Sequence, residues 1–317
     1  MKVKTAGEWF LWIIFSVILY LIGIGVPFLS PLVLLAAPAP IMIVVRSRGF
    51  REGFLGALFG TLLVYIAVGP VSAFLYTCEF GLLGLMMGIL LIKTKDRSDY
   101  ILLAVLASIA VKLMLMGAFR HALGVNPFMI TPENAREITE AATSALSRGG
   151  LSISDAAIDG YIETMITTVS LLMPSMVVLY AAADSIASYL LACSCLKKRG
   201  IDDLPALPPF GEWRFPKNIF WALFAALALD VAFKTFPSAE VCRTLSVNLM
   251  EILRAIFLIE GIAVGWNFAG QYGIKLPFKI IMAAFCVFCP PLSYAVSLLG
   301  IFDIWYNLRK RIKLRRK

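Results

Sequence analysis

The chain has 317 residues, 60% of them hydrophobic and 15% charged, with a mean hydropathy of +0.85 and a formal net charge of +9. Soluble domains run at roughly 45–50% apolar and about 25% charged, so a water-exposed fold would leave too much apolar surface uncovered. Most of the chain must therefore sit in lipid, where backbone groups bond internally and only helices or a closed barrel persist.

The apolar runs, such as Ile101 to Leu115 and Leu171 to Cys195, are far longer than the ~10-residue alternating segments of a barrel strand. An all-α, polytopic transmembrane bundle follows. In chain order, runs near 8–25, 28–46, 53–69, 71–92, 99–118, 165–195, 218–234, 244–270, 276–289 and 292–308 are candidate spans. The first ends in Gly25-Val26-Pro27 and passes into the second without a small-residue cleavage site, so no signal peptide is expected. Pro31, Pro38 and Pro40 predict a broken or re-entrant second span. The ninth is short for a crossing before Cys289-Pro290-Pro291, so the count falls between eight and ten.

Basic residues set the expected orientation, because short cytoplasmic loops collect them. With ten spans and the N-terminus inside, cytoplasmic segments hold 22 of the 29 Lys and Arg, seven of them from Arg309 to Lys317. Both termini are thus expected inside, in the cytoplasmic membrane of a bacterium. The topology accounts for the positive charge without a nucleic-acid partner. The longest loop, Arg120 to Tyr161, falls outside and has the opposite character, with six acids against two arginines between residues 122 and 165. Thr131-Pro132-Glu133 predicts a helix start, and Ala135, Ile138, Ala142 and Leu146 recur at helical spacing up to Gly149-Gly150. This outer amphipathic helix is either a lid over a cavity or a plain connector. Ser154-Asp155 starts the sixth span. The Pro-rich stretch 197–217 then divides a six-span module, 1–196, from C-terminal helices, 218–308, and a basic tail, 309–317.

Two octets place glycine at i, i+3 and i+7: Gly53, Gly56 and Gly60, then Gly81, Gly84 and Gly88. Smooth faces of this kind let helices approach closely in lipid. They either pack on each other or dock a membrane partner, whether a coupling subunit or a second copy. Ionisable groups inside spans are costly and mark function by default. Glu79, Lys112, Asp184 and Asp230 are the candidate lining of a small-molecule site, with a structural Glu79–Lys112 bridge as the alternative for that pair. Asp184 and Asp230 show no obvious local partner, and Asp184 has Ser185 beside it. Glu251 and Arg254, three apart, predict an internal ion pair. Asp303 is expected to cap the final helix or pair with Arg309 or Lys310.

Catalytic signatures are missing: there is no phosphate-cradling Gly-rich loop, no H-E-x-x-H, and one histidine, His121, beside Arg120 at a helix end. Cys286-x-x-Cys289 sits among Phe, Val and Pro with no His nearby and reads as buried thiols, not a metal site. No enzyme activity, metal or other cofactor is expected.

Four stretches resemble the YybS-like family of bacterial multi-pass membrane proteins. They are Pro38-Ala39-Pro40 through Arg46, the two glycine octets, Glu260-Gly261-Ile262-Ala263-Val264, and the ending from Pro290-Pro291 to Arg311. That family is distantly similar to the substrate-binding subunits of energy-coupling-factor transporters. The resemblance implies capture of a small molecule from outside and docking of small-residue faces onto a coupling subunit. This chain departs from those subunits in its extra spans after residue 200. The alternative is a non-transporting scaffold that recruits a partner through the basic tail and glycine faces.

Overall fold

The computed structural model describes residues 6–124, 136, 139–140, 155–205, 207–236 and 238–311, and every regular element among them is helical. Two compact units are present, Met1–Phe128 with Val177–Leu207 and Met129–Met176 with Pro208–Lys317. The expected outer helix over 131–149 lies almost wholly outside the described residues.

The first unit contains α1 (Ala6–Gly25), α2 (Ser30–Ala36), α3 (Ala39–Arg48), α4 (Phe50–Ala67) and α5 (Pro70–Tyr76), then α6 (Leu83–Lys93) and α7 (Arg97–Leu123). The long α8 (Asp155–Lys198) gives this unit its C-terminal half. Positive-φ glycines, Gly49 (104°) and Gly69 (118°), turn the chain between α3 and α4 and between α4 and α5, where a side chain would be strained. The second span is broken, as the prolines predict: α2 ends at Ala36 and α3 begins at Ala39. At that break the Ser188 hydroxyl donates to the Leu35 carbonyl at 2.9 Å, so protein covers the opened backbone. Seven consecutive residues of α3, Ala39 to Val45, are buried. A helix apolar all round belongs in the centre, and α1, α4 and α6 pack around it.

That central position corrects the expectation for the octets. All six glycines are buried inside the unit and none is offered to a partner. Nor do the two faces chiefly meet each other. A methyl group on Gly84 would lie 2.7 Å from Ile41 Cβ, and one on Gly88 2.6 Å from Val45 Cβ, both on α3. Gly53 also faces Val45, Gly56 faces Ile13 on α1, and Gly60 makes room for the Tyr76 ring. Two contacts do link the octets: Gly53 also faces Leu85 Cδ2, at 3.2 Å, and Gly81 meets Ala57, at 3.4 Å. Three of the six, Gly53, Gly84 and Gly88, thus close on α3, where bulky Ile41 and Val45 fill the space that the glycines leave.

The second unit holds the N-terminal part of α8, then α9 (Ile219–Thr235), α10 (Glu240–Gln271), α11 (Leu276–Phe288), α12 (Pro290–Tyr306) and a last turn, α13 (Leu308–Arg311). Pro174 interrupts α8, and the Asn248 amide from α10 repairs the ladder beside it. Its Nδ2 donates to the Leu171 carbonyl and its Oδ1 accepts from the Ser175 N–H, each at 2.8 Å. A side chain inserted between an i and i+4 pair is one of the recognised causes of a helix bend. On α10 and α12, Gly261 and Gly300 allow backbone-to-backbone contact: a methyl group on Gly300 would fall on the Phe257 carbonyl and 2.9 Å from the Gly261 nitrogen.

Six described helices are long and apolar enough to cross a membrane, or seven if α11 and α12, bent by 104°, form one broken span. The eight-to-ten count is higher because it includes α9 and α10 and counts α11 and α12 separately. α9 has 17 residues, about 26 Å against a hydrocarbon core of ~30 Å. α10 is long, but Glu251, Arg254 and Glu260 dilute its apolar run.

Candidate functional site

One of two concentrations of buried charge lies in the first unit. Between α5 and α6 the helix widens into a π-helical turn, Thr77–Leu82, that carries Glu79. Such turns are rare and concentrate at functional positions. The Thr77 hydroxyl donates to the Ala73 carbonyl at 2.7 Å and lies 2.9 Å from the Thr61 hydroxyl, tying the turn to α4. Lys112 stands on α7 and Asp184 on α8.

Lys112 is fully buried, and its ammonium donates to Asp184 Oδ2 at 2.5 Å and to the Ser108 hydroxyl at 2.9 Å. Glu79 Oε2 is 3.6 Å from the same nitrogen. Ser108 donates to the Asp184 carboxylate at 2.9 and 3.0 Å, and Ser185 to its Oδ1 at 3.2 Å. The Tyr180 ring lies under the ammonium, 4.7 Å from its centroid. The Tyr180 hydroxyl is buried and has no hydrogen-bond partner among the described residues.

The charge count of this cluster is unequal. Two carboxylates face one ammonium among buried side chains, and a buried charge persists only when it is paired. Fully ionised, the cluster keeps one negative charge that no group described above offsets. It therefore attracts a positive species, and the smallest is a proton.

Three of the four candidate lining residues thus converge. The bridge from Glu79 to Lys112 forms, with Asp184 the closer partner. Asp230 does not join them: it lies on α9 in the second unit and pairs with Lys234 at 2.7 Å, one helical turn away. Both side chains are substantially exposed, at 41% and 71%. The i,i+4 spacing of that pair was present in the sequence. Asp230→Asn is accordingly expected to shift stability by no more than about 0.5 kcal/mol, checked by thermal unfolding of the purified protein. Ser108 and Tyr180 were not anticipated, yet each sits four residues before a member of the cluster, Lys112 or Asp184, on the same helix face.

In the second unit Glu251 pairs with Arg254 as expected, and the Arg254 guanidinium stands 5.7 Å from the Tyr294 ring. A further cluster joins Arg309 to Glu260 and Asp303, both carboxylates being fully buried. Arg309 Nε donates to Asp303 Oδ2 at 3.0 Å and Nη1 to the Gly211 carbonyl at 2.7 Å. The Phe215 N–H donates to Glu260 Oε2 at 2.9 Å. The Pro-rich stretch is thereby fastened to α10 and to the end of α12. Asn307, at a left-handed φ of 56°, makes the reversal that brings Arg309 back. Its pairing with Asp303 was anticipated, while the link to Glu260 was not.

The first cluster, and the two carboxylates of the second, lie within a region that matches a known family. Uncharacterized protein YybS of Bacillus subtilis (strain 168) is 22% identical over 300 residues, covering 93% of this chain and 94% of that protein. No solved structure matches the chain. Residues 13–304 match the family described as "Predicted membrane protein (DUF2232)", and the chain belongs to that family of multi-span membrane proteins.

Proposed function

We propose that the chain is a transporter-type protein of the bacterial cytoplasmic membrane, both termini inside, that binds and releases a proton at the Glu79–Lys112–Asp184 cluster. The observation that carries this reading is the excess of one carboxylate over the ammonium in a buried site, where the Lys112 and Asp184 side chains are 0% and 1% exposed and that of Glu79 11%. Ionisable groups at such depth recur in proton relays and substrate pathways. The small molecule expected from the sequence would need an open cavity, whereas Lys112 is packed by Ser108, Tyr180 and Asp184. A proton needs none. The π-helical turn supports the reading, since it places Glu79 on a backbone irregularity of a kind that recurs at functional sites.

A second reading is favoured by the short Lys112–Asp184 contact: a fixed ion cluster holding α7 to α8 in a non-transporting scaffold. Infrared difference spectra of the reconstituted protein between about pH 6 and pH 9, where exposed carboxylates stay ionised, separate the two. Proton exchange requires a carboxylic acid C=O band that disappears on raising the pH and is missing in Glu79→Gln. Identical carboxyl spectra at the two pH values would leave the fixed cluster as the answer.

A further inference from the structure

The first unit also carries an elongated groove of about 700 Å³ between α1, the break joining α2 to α3, and the last turns of α8. Its volume falls within the roughly 300–1,000 Å³ typical of small-molecule sites. Its two ends differ. Ile18, Leu19 and Leu191 line the apolar part, while Glu8, Trp12 and Arg199 form one end.

We infer that this groove holds one anionic phospholipid, with an acyl chain along α1 and the phosphate against Arg199. Four observations converge on that occupant. From Glu8 to Leu19 the wall is twelve residues of helix, eleven steps or about 16 Å at ~1.5 Å per step. That is close to half of a ~30 Å hydrocarbon core, the depth of one leaflet. Trp12, at the charged end, is a side chain that prefers the headgroup level. The Arg199 guanidinium stands 5.1 Å from the Trp12 ring. One terminal nitrogen of Arg199 is buried without a hydrogen-bond partner, because the Glu8 carboxylate is 3.8 Å away, beyond hydrogen-bond reach. The Arg199 side chain as a whole is 31% exposed, so a phosphate can approach it at this end, and guanidinium–phosphate pairs are commonly bidentate.

The charge balance at this end selects the lipid class. Lys197 and Lys198 precede Arg199 on the same helix end and are exposed, and Arg46 stands 3.8 Å from Asp203, so four cations at this end outnumber the three acids Glu8, Asp202 and Asp203. A zwitterionic headgroup brings its own ammonium into that field, whereas an anionic one does not. The expected orientation places this end at the cytoplasmic leaflet, where anionic lipids give a negative surface. Along α8 the stripe that ends in Leu191, Cys195 and Arg199 begins with Asp184 and Ser188, at successive three- and four-residue steps. The lipid would therefore lie along the same helix face as the buried cluster.

The test is native mass spectrometry of the delipidated full-length protein, titrated with phosphatidylglycerol and with phosphatidylcholine of the same chains. Wild type should retain one phosphatidylglycerol with at least about tenfold preference, a ratio that corresponds to ~1.4 kcal/mol. Arg199→Gln should bring the preference below about threefold while thermal unfolding stays near wild type. Leu191→Trp, which fills the apolar part, should lose both lipids. Equal retention of the two lipids by wild type, or an Arg199→Gln preference as large as wild type, overturns the inference. A dimer that persists and excludes lipid overturns it as well, by placing a second copy in the groove.

Discussion

Lys112→Met is expected to be the most destabilising substitution at the buried cluster, costing about 3–5 kcal/mol. The size follows from what remains. Methionine keeps the length of the side chain, so little packing is lost. Asp184 and Glu79, however, are left facing each other without the ammonium that lay 2.5 Å and 3.6 Å from them. Breaking a buried pair from one side is expensive because the surviving charge has neither water nor a partner. Removing all charge from the cluster is a different matter. In Glu79→Gln/Lys112→Met/Asp184→Asn no ion stays behind, and the amides can still bond to Ser108 and Ser185. Most of the lost stability should return, since buried ion clusters seldom outperform neutral groups of similar shape. The triple variant should also lack the pH-dependent carboxyl band, which separates a protein that folds from one that exchanges protons. Thermal unfolding in one detergent would compare the variants. Wild-type stability in Lys112→Met alone would mean that the carboxylates do not depend on Lys112.

The second large effect belongs to the contact of α10 with α12. Gly300→Ala should cost about 3 kcal/mol, at the upper end of what overpacking usually produces. The added methyl would meet backbone, the Phe257 carbonyl and the Gly261 nitrogen, and backbone cannot rotate away as a side-chain tip can. The helices would have to part along their crossing, and the cluster of Glu260, Asp303 and Arg309 sits on these same two helices and the turn after them. Gly265→Ala is the internal control. It lies one turn from Gly261 on α10 and has no neighbour within 4 Å of the added carbon. There alanine should be neutral or stabilise by up to ~1 kcal/mol through helix propensity. Comparable melting shifts for the two variants would remove close packing as the explanation.

Local rules and the cost of burial explain what was visible beforehand. Glu251 and Arg254 pair because three residues make most of a helical turn. The second span breaks at Ala37-Pro38 because proline withdraws a donor, and α8 begins at Asp155 where the Ser-Asp cap signal stands. The Glu79–Lys112 bridge was legible too, because two opposite charges in neighbouring apolar runs have few alternatives in lipid. Asp230 was misplaced by weighing its apolar surroundings above Lys234, four residues on.

Partner choice between distant elements was not legible. Lys112 takes Asp184, 72 positions away, as its nearest acid, and Arg309 reaches Glu260 across 49. The glycine octets showed that something must come close, and the fold supplied α3 as what does. The tightest approach involves Gly261 and Gly300: Gly261 opens a Gly261-x-x-x-Gly265 spacing of the close-packing kind, whereas Gly300 has no such repeat to announce it. The amino-acid sequence by itself determined that the chain is a multi-span helical membrane protein, where its helices break, and which charges must find partners, because lipid forces those outcomes on any chain of this composition. Only the tertiary structure decided which helices meet and which carboxylate is left over. Between helices in lipid no hydrophobic drive selects a neighbour, and that choice rests on the fit of individual side chains.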